Sequence, residues 1–152
     1  MQVNGINLPK SRPVEILLVE DNPGDIFLAK EALKESKVNN NMHIAEDGVE
    51  AMEFLEKAVA DPDTPLPDLI LLDLNMPRMD GREVLQNVKN DERLRRIPIV
   101  VMTSSEEDED ILKAYELHAN CYIQKPVDLS QFIKVVDTID EFFLSIVKLS
   151  KV

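Results

Sequence analysis

Residues 69–81 read LILLDLNMPRMDG, in which four consecutive apolar residues are followed by an aspartate, Asp73. A carboxylate is costly to bury beside such a run unless another group pairs with it. The segment before it, ADPDTPLPD at 60–68, contains three prolines and is therefore expected to be a loop. A short apolar run bounded by turn residues is typical of a strand buried on both faces. We therefore expect a strand at about 69–72 that leads directly into Asp73.

Apolar runs alternate with amphipathic stretches along the rest of the chain. Further strands are predicted at about 14–19, 42–47, 97–103 and 121–125, and a last helix at about 128–148. Helix starts are marked by Asn22–Pro23 and by two capping pairs, Asp80 with Glu83 and Ser104 with Glu107. Continuous apolar strands joined by helices form parallel sheets. The pattern predicts an α/β fold of five βα units, (βα)5, with a doubly wound parallel five-stranded sheet.

Composition and charge restrict the class of protein. The 152 residues suit one domain, and 44% hydrophobic residues can fill a substantial core. The net charge of −12 repels a nucleic-acid backbone. There is no run of about 18 apolar residues that would predict a membrane helix, and the first residues lack the apolar centre of a signal peptide. A single cysteine, Cys121, excludes an internal disulfide. We expect a cytoplasmic protein that binds neither nucleic acid nor membrane.

Acidic and polar residues stand where the predicted strands end. Glu20 and Asp21 follow the first strand, Asp73 the third, Thr103 the fourth and Lys125 the fifth. The carboxyl ends of parallel strands meet at one edge, where ligands of such sheets bind. Three carboxylates repel one another without a cation, and oxygen ligands suit a hard ion such as Mg²⁺, which also binds phosphate oxygens. A carboxylate can attack a phosphoryl group and form an aspartyl-phosphate.

The chain lacks the motifs of nucleotide-binding enzymes. Its four glycines cannot form a glycine-rich phosphate cradle or a Walker sequence. No general acid or base is evident near Asp73. Both features favour a site that accepts and holds a phosphoryl group over one that turns over rapidly.

Five short motifs occur in order along the chain: VED at 19–21, DLNMP at 73–77, MDG at 79–81, MTSS at 102–105 and KP at 125–126. Together they resemble the receiver domain of two-component response regulators, the CheY-like superfamily, over about residues 14–148. The resemblance implies the flavodoxin-like strand order 2-1-3-4-5. It also implies a single receiver domain over 14–152, an N-terminal extension at 1–13 and no effector domain, so that the output passes through protein contacts.

The resemblance implies a role for each acid at this edge. Asp73 is expected to accept the phosphoryl group from a sensor histidine kinase. Asp21, Asp73 and the backbone carbonyl of Asn75 are expected to bind Mg²⁺ or Mn²⁺ directly, and Glu20 through a water molecule. Such a protein is not an enzyme in the usual sense, because it catalyses only its own phosphorylation and slow dephosphorylation.

The family also implies roles for residues on the last two strands. Lys125 is expected to contact the phosphoryl oxygens, and Thr103 to turn and bond the phosphoryl group. Tyr122 matches the aromatic switch position that follows Thr103 inward. The Lys125–Pro126 peptide bond is expected to be cis, an isomer that X-Pro bonds adopt at modest energetic cost.

A narrower resemblance concerns the partner. EDNPGD at 20–25, the proline-rich loop at 60–67 and the single-domain layout are similar to the stand-alone phytochrome-associated response regulators of cyanobacteria and other bacteria. That subgroup implies a sensor histidine kinase of phytochrome type as partner, and often a homodimer. The downstream protein is unknown.

Two alternatives, a phosphatase and a pseudo-receiver, stay open, whereas a flavin-binding protein lacks support. A haloacid-dehalogenase-like Mg²⁺-dependent phosphatase also uses a strand-end aspartate, but it needs a second acid two residues later, where this chain has Asn75. A non-phosphorylated pseudo-receiver would be a pure binding module, although such domains usually lose the acidic or lysine positions. A flavin-binding protein of the same topology needs aromatic rings to stack on, and the chain has no Trp and two Tyr.

The last helix carries more apolar residues than one buried face needs. An inward stripe is predicted at Leu129, Phe132, Val136, Ile139 and Phe143. A second stripe comprises Val135, Phe142, Ile146 and Leu149. Contiguous apolar patches usually mark contact surfaces, so we expect a two-fold homodimer through this stripe. The alternative is that the end of the chain folds back and covers it.

Overall fold

The computed structural model describes residues 2–3, 6–7, 13–36, 39–76, 79–103, 121–124, 129–131, 133–134, 137 and 140–141. In chain order the elements are β1 (Gln2–Val3), β2 (Ile6–Asn7), β3 (Val14–Val19), α1 (Pro23–Lys34), β4 (Asn40–Ala45), α2 (Gly48–Ala60), β5 (Leu69–Asp73), α3 (Gly81–Asn90), β6 (Ile99–Thr103) and β7 (Cys121–Gln124). The helix predicted to begin at Ser104 lies outside the described residues.

Five strands form one parallel sheet, in the order β4-β3-β5-β6-β7. Counted along the chain from β3, this order is 2-1-3-4-5, so the predicted doubly wound sheet is confirmed. The register pairs Val19 with Leu72 and Asp73 with Met102. The carboxyl ends of β3, β5 and β6 therefore lie side by side at one edge of the sheet.

The central strands are buried on both faces, because alternate side chains enter two separate hydrophobic clusters. One cluster joins Leu17, Ile70 and Val101 with residues of α2 and α3. The other joins Ile16, Leu71 and further strand residues with α1. This division explains why the strands read as continuous apolar runs rather than alternating ones.

Helices α1, α2 and α3 each begin at a side chain that satisfies a backbone N–H left open by the first turn. Asn22 accepts a hydrogen bond from the backbone of Asp25, with Pro23 in the first turn, as predicted. Asp80 accepts one from the backbone of Glu83, which also agrees with the predicted capping pair. Asp47 does the same for α2, a cap that the sequence reading did not single out.

Two strand starts differ from the prediction. β4 begins at Asn40 rather than at residue 42, because its ladder with β3 starts at the pair Val14–Asn40. β6 begins at Ile99 rather than at residue 97. The backbone N–H of Ile97 donates to the carbonyl of Leu94 in the turn after α3, and Pro98 has no N–H to donate to a ladder.

The last helix is helical at residues 129–131, 133–134, 137 and 140–141. Its buried Asp140 accepts a hydrogen bond from the hydroxyl of Ser36 at 2.5 Å, which places this helix beside the end of α1. The prediction that Leu129 faces inward is wrong, since its side chain is 43% exposed. Leu129 lies three turns before Asp140 on nearly the same side, about 16 Å along the axis, and does not reach the described core.

β1 and β2 pair with each other as a short antiparallel ladder, which the sequence did not predict. Among the described residues, no helix is long and apolar enough to cross a membrane.

Candidate functional site

The site lies at the carboxyl edge of the three central strands. Glu20 directly follows β3, Asp73 is the last residue of β5, and Thr103 is the last residue of β6. All three are buried, with 0%, 1% and 3% of their surface exposed. Parallel pairing thus brings two carboxylates and a hydroxyl to neighbouring strand ends, where the sequence reading expected them.

Three carboxylates converge at this edge. Glu20, Asp21 and Asp73 each offer one oxygen atom, and these atoms all lie within 4.8 Å of one another. Asp21 is exposed while the other two are buried, so the cluster is closed towards the sheet and open on one side. Carboxylate oxygens at this spacing suit a divalent ion such as Mg²⁺, because a cation offsets their mutual repulsion. The residues present therefore fit a divalent metal.

Backbone hydrogen bonds orient the two buried acids. Oε2 of Glu20 accepts from the backbone N–H of Asp21 at 3.1 Å and of Asn22 at 3.2 Å. Oδ1 of Asp73 accepts from the backbone N–H of Asn75 at 3.0 Å. All three bonds tie a carboxylate to the loop that follows its own strand. These local bonds help to set the direction of each carboxylate.

The loop after Asp73 is held closely against the sheet and α2. Leu74 donates its N–H to Met102 on β6 at 3.0 Å and accepts from Gly81 at 3.1 Å. A β-carbon on Gly81 would lie 2.5 Å from the carbonyl oxygen of Asp73 and from Cα of Leu74. Further along, the carbonyl of Met79 accepts from the N–H of Gly48 at 3.1 Å. Gly81 has a positional role that the MDG motif signalled but that sequence reasoning did not explain.

The structure describes the other predicted site residues to different extents. Asn75 is exposed two residues after Asp73, and its backbone is part of the loop just described. The backbone of Tyr122, in β7, pairs with Val101 of β6, while the side chain of Tyr122 is outside the described part of the structure. Lys125 and Pro126 also lie outside the described residues. The acids and Thr103 are thus brought to one edge, and the roles of Tyr122 and Lys125 stay predictions.

The family profile described as "Response regulator receiver domain" matches residues 16–137. The chain belongs to this family. Its resemblance to receiver domains is therefore confirmed, and as a response regulator receiver domain it is a signalling protein.

Individual receiver proteins are similar over most of the chain. Response regulator Rcp1 of Synechocystis sp. (strain ATCC 27184 / PCC 6803 / Kazusa) is 45% identical over 137 residues, which cover 90% of this chain and 93% of Rcp1. The crystal structure of the phosphorylated cyanobacterial phytochrome response regulator RcpA is 48% identical with a TM-score of 0.74, over 88% of this chain and 95% of RcpA. The Mn²⁺-bound form of Rcp1 gives a TM-score of 0.73 at 45% identity, over 87% and 95%. This receiver domain is thus related to cyanobacterial phytochrome response regulators.

One ion pair of the receiver domain, between Arg93 and Asp91, lies after α3, away from the acid cluster. Arg93 donates to both carboxylate oxygens of Asp91, at 3.0 and 2.7 Å, and approaches Glu56 of α2 at 3.4 Å. The hydrogen bonds from Arg93 lower the pKa of Asp91 to about 2. The same bonds raise the pKa of Arg93 above its ordinary value. Each group therefore favours the charged form of the other.

Proposed function

We propose that this receiver domain accepts a phosphoryl group on Asp73 from a sensor histidine kinase of phytochrome type. The observation that carries the proposal is the convergence of Glu20, Asp21 and Asp73 within 4.8 Å, with Asp73 buried at a strand end. A carboxylate nucleophile beside two further acids suits phosphoryl transfer, which needs positioning and charge neutralisation more than covalent assistance. The relatedness to phytochrome response regulators supports the choice of kinase.

The proposed reaction is an in-line displacement. A carboxylate oxygen of Asp73 attacks the phosphorus of a phosphohistidine on the kinase. The O–P bond forms as the N–P bond breaks, and the electron pair of that bond returns to the imidazole nitrogen. Later, a water oxygen attacks the same phosphorus, which restores the carboxylate and releases inorganic phosphate. The chain catalyses these two steps on itself and no other reaction.

Asp21, Asp73 and the carbonyl of Asn75 would hold Mg²⁺ or Mn²⁺ directly, with Glu20 acting through water. The metal would supply positive charge against the phosphoryl oxygens. Glu20 is suited to its part because two backbone N–H groups fix its carboxylate. Asp21 is suited to its part because it is the exposed member of the cluster.

Thr103, Lys125 and Tyr122 would convert phosphorylation into a change of surface. Moving a conformational equilibrium from 1:99 to 99:1 takes about 5.5 kcal/mol. One charge-assisted hydrogen bond contributes about 1.5–3 kcal/mol. The Thr103 hydroxyl alone is therefore insufficient, and Lys125 together with repacking around Tyr122 must supply the rest. The downstream protein would recognise the altered surface, so the output would be a protein contact rather than binding to nucleic acid.

The test is direct phosphorylation with acetyl phosphate and Mg²⁺, followed by the mass of the intact protein. Wild type should gain the mass of one phosphoryl group, and a chelator should prevent the gain. Asp73→Asn should not gain it, whereas Asp140→Asn, which alters a buried acid elsewhere, should behave as wild type. A normal gain in Asp73→Asn would contradict the assignment. Repeated turnover of a small phosphate ester would favour a phosphatase instead.

The partner is tested separately. A phytochrome-type sensor kinase that has been phosphorylated beforehand should transfer its phosphoryl group to wild type and not to Asp73→Asn. Suppose that the protein reacts with acetyl phosphate but receives no phosphoryl group from this kinase, and does receive one from a kinase of another sensor class. That result would contradict the proposed phytochrome-type partner and leave Asp73 as the acceptor site.

We also propose a homodimer through the last helix. The apolar positions Val135, Phe142, Ile146 and Leu149 lie outside the described residues. Support comes from the sequence, where these four apolar residues recur at helical spacing on one side of the predicted last helix, and contiguous apolar patches usually mark contact surfaces. The double variant Phe142→Glu/Ile146→Glu should sediment as a monomer that still takes up phosphoryl groups. Wild type that sediments as a monomer at tens of micromolar, with and without acetyl phosphate, would reject the dimer.

A further inference from the structure

A groove of about 510 Å³ runs between α2 and α3, on the face of the sheet opposite α1. Its apolar lining comes from Val49 and Met52 of α2 and from Met79 of the loop before α3. Met52 and Met79 are half-buried and pack against the core with one side. Their outward sides leave an apolar surface that no described residue covers. Methionine suits adaptable contact surfaces, because its side chain is flexible and polarisable.

Acidic side chains border this apolar strip. The groove is lined by Glu53, Glu56 and Asp91, and none of its lining residues carries a positive charge among those the structure describes. Arg93 sits at the same border, where it is bound to Asp91 and Glu56. Three carboxylates against one guanidinium leave two negative charges along the groove. Glu53 is exposed and accounts for one of them.

The shape of the groove is fixed by contacts among its three sides. Met79 accepts a hydrogen bond from the backbone of Gly48 at 3.1 Å, which joins the loop to the start of α2. The amide of Asn87 on α3 lies 3.8 Å from the sulfur of Met79, which joins the loop to α3. A groove whose walls are already joined loses little conformational freedom when a partner binds.

We propose that the groove between α2 and α3 binds an amphipathic helical segment of another protein, with Leu, Met or Phe side chains in the groove and Lys or Arg side chains facing Glu53 and Glu56. Helices commonly bind by laying one apolar face into such a groove. The charges at the border select a basic partner by complementarity. A second copy of this chain is a poor occupant, because a two-fold contact would bring two acidic borders together.

The partner is best found by selection, because only its chemistry is specified. A phage library of helical peptides, with the apolar and flanking positions randomised, is selected on wild type. The groove variant Glu53→Lys/Glu56→Gln changes the net charge by three units. The control Glu35→Lys/Glu141→Gln makes the same change at exposed residues of α1's end and the last helix. Neither variant alters the acid cluster, so both should still be phosphorylated by acetyl phosphate, which verifies folding.

The selected peptides should carry Lys or Arg beside Leu, Met or Phe. Synthetic copies should bind the groove variant about tenfold more weakly than wild type, and the control within about twofold. Met52→Ala should weaken binding at least about threefold through lost apolar contact. Amide shifts on binding should centre on Val49, Met52 and Asn87. Peptides that bind both double variants equally, shifts spread over the whole surface, or selected peptides without basic residues would each overturn the proposal.

Discussion

Gly81 is the position where a single methyl group should disturb both the fold and the site. It is the first residue of α3, and a β-carbon there would lie 2.5 Å from the carbonyl oxygen of Asp73 and 2.5 Å from Cα of Leu74. Non-bonded carbon atoms pack at about 3.5–4.0 Å, so the variant Gly81→Ala must separate α3 from the end of β5 by about 1 Å. The opposing atoms are backbone and cannot rotate away.

Two effects of opposite sign set the expected loss of stability. Overpacking of a close contact destabilises by about 1–3 kcal/mol. Replacing Gly by Ala also restricts the unfolded chain, which stabilises by about 0.4–1 kcal/mol. Taking the middle of each range, the free energy of unfolding should fall by about 1.3 kcal/mol, and at most by about 2.6 kcal/mol. The displacement also reaches the backbone of Asp73, and a misplacement of about 1 Å can slow a reaction up to about a hundredfold.

Urea unfolding and acetyl phosphate kinetics measure the two losses on the same protein. The urea midpoint of Gly81→Ala should fall while the slope stays unchanged. Gln86→Ala is the control, because it also introduces alanine into α3 but at an exposed position. Its stability should stay within about 0.5 kcal/mol of wild type. If Gly81→Ala matches this control in both stability and phosphorylation rate, the close approach of α3 to β5 is refuted.

Four further outcomes are expected. Leu85→Ala, which truncates a fully buried side chain of α3, should lower the free energy of unfolding by about 2–5 kcal/mol in urea. The pKa of Asp91 is lowered in the folded protein, so its ionised form stabilises the fold at pH values above its ordinary pKa of 3.8. The difference in free energy of unfolding between wild type and Asp91→Asn should therefore shrink as the pH falls from about 3.8 to about 2, and a difference that grows would contradict this. Glu20→Gln should weaken Mg²⁺ binding in calorimetry by about tenfold or more, and raise the melting temperature of the metal-free protein by relieving repulsion. Thr103→Ala should still be phosphorylated but show a reduced change in hydrogen exchange over residues 104–120, and an unreduced change would exclude Thr103 from the switch.

The strand and helix pattern was predictable where short-range chemistry determines it. The run at 69–72 is long enough, and sharply enough bounded by prolines and Asp73, to define β5 within one residue. Asn22 with Pro23 likewise fixed the start of α1. β4 was harder, because its first two residues are asparagines, which have low strand propensity and are strand only through pairing with Val14 and Glu15.

Tertiary packing decided what the sequence could not. Glu15 is a charged residue that is nevertheless buried in an apolar strand. Its Oε1 lies 3.3 Å from Nε2 of His43, and its backbone N–H donates to the carboxylate of Asp68. Both partners are distant in the chain. Leu129 has the spacing of an inward position but lies before the point where the last helix meets the core. The site acids were predictable because parallel strand ends converge by topology, whereas the contact of Gly81 with β5 depends on how closely one helix approaches.

Burial of the central strands on both faces has a consequence for how they align during folding. If β5 slipped by one residue against β3, apolar side chains would still meet apolar neighbours on both sides, so hydrophobicity alone penalises the error weakly. The slip would, however, displace Asp73 from its place beside Glu20, and would separate Asp68 from the backbone of Glu15, its partner at 2.8 Å at the other end of the strand. Polar residues at the two ends thus make misaligned sheets unfavourable. The acids proposed to take part in signalling also help to select the single correct pairing, and substitutions among them should be screened for misfolded, aggregating sheets as well as for lost phosphorylation.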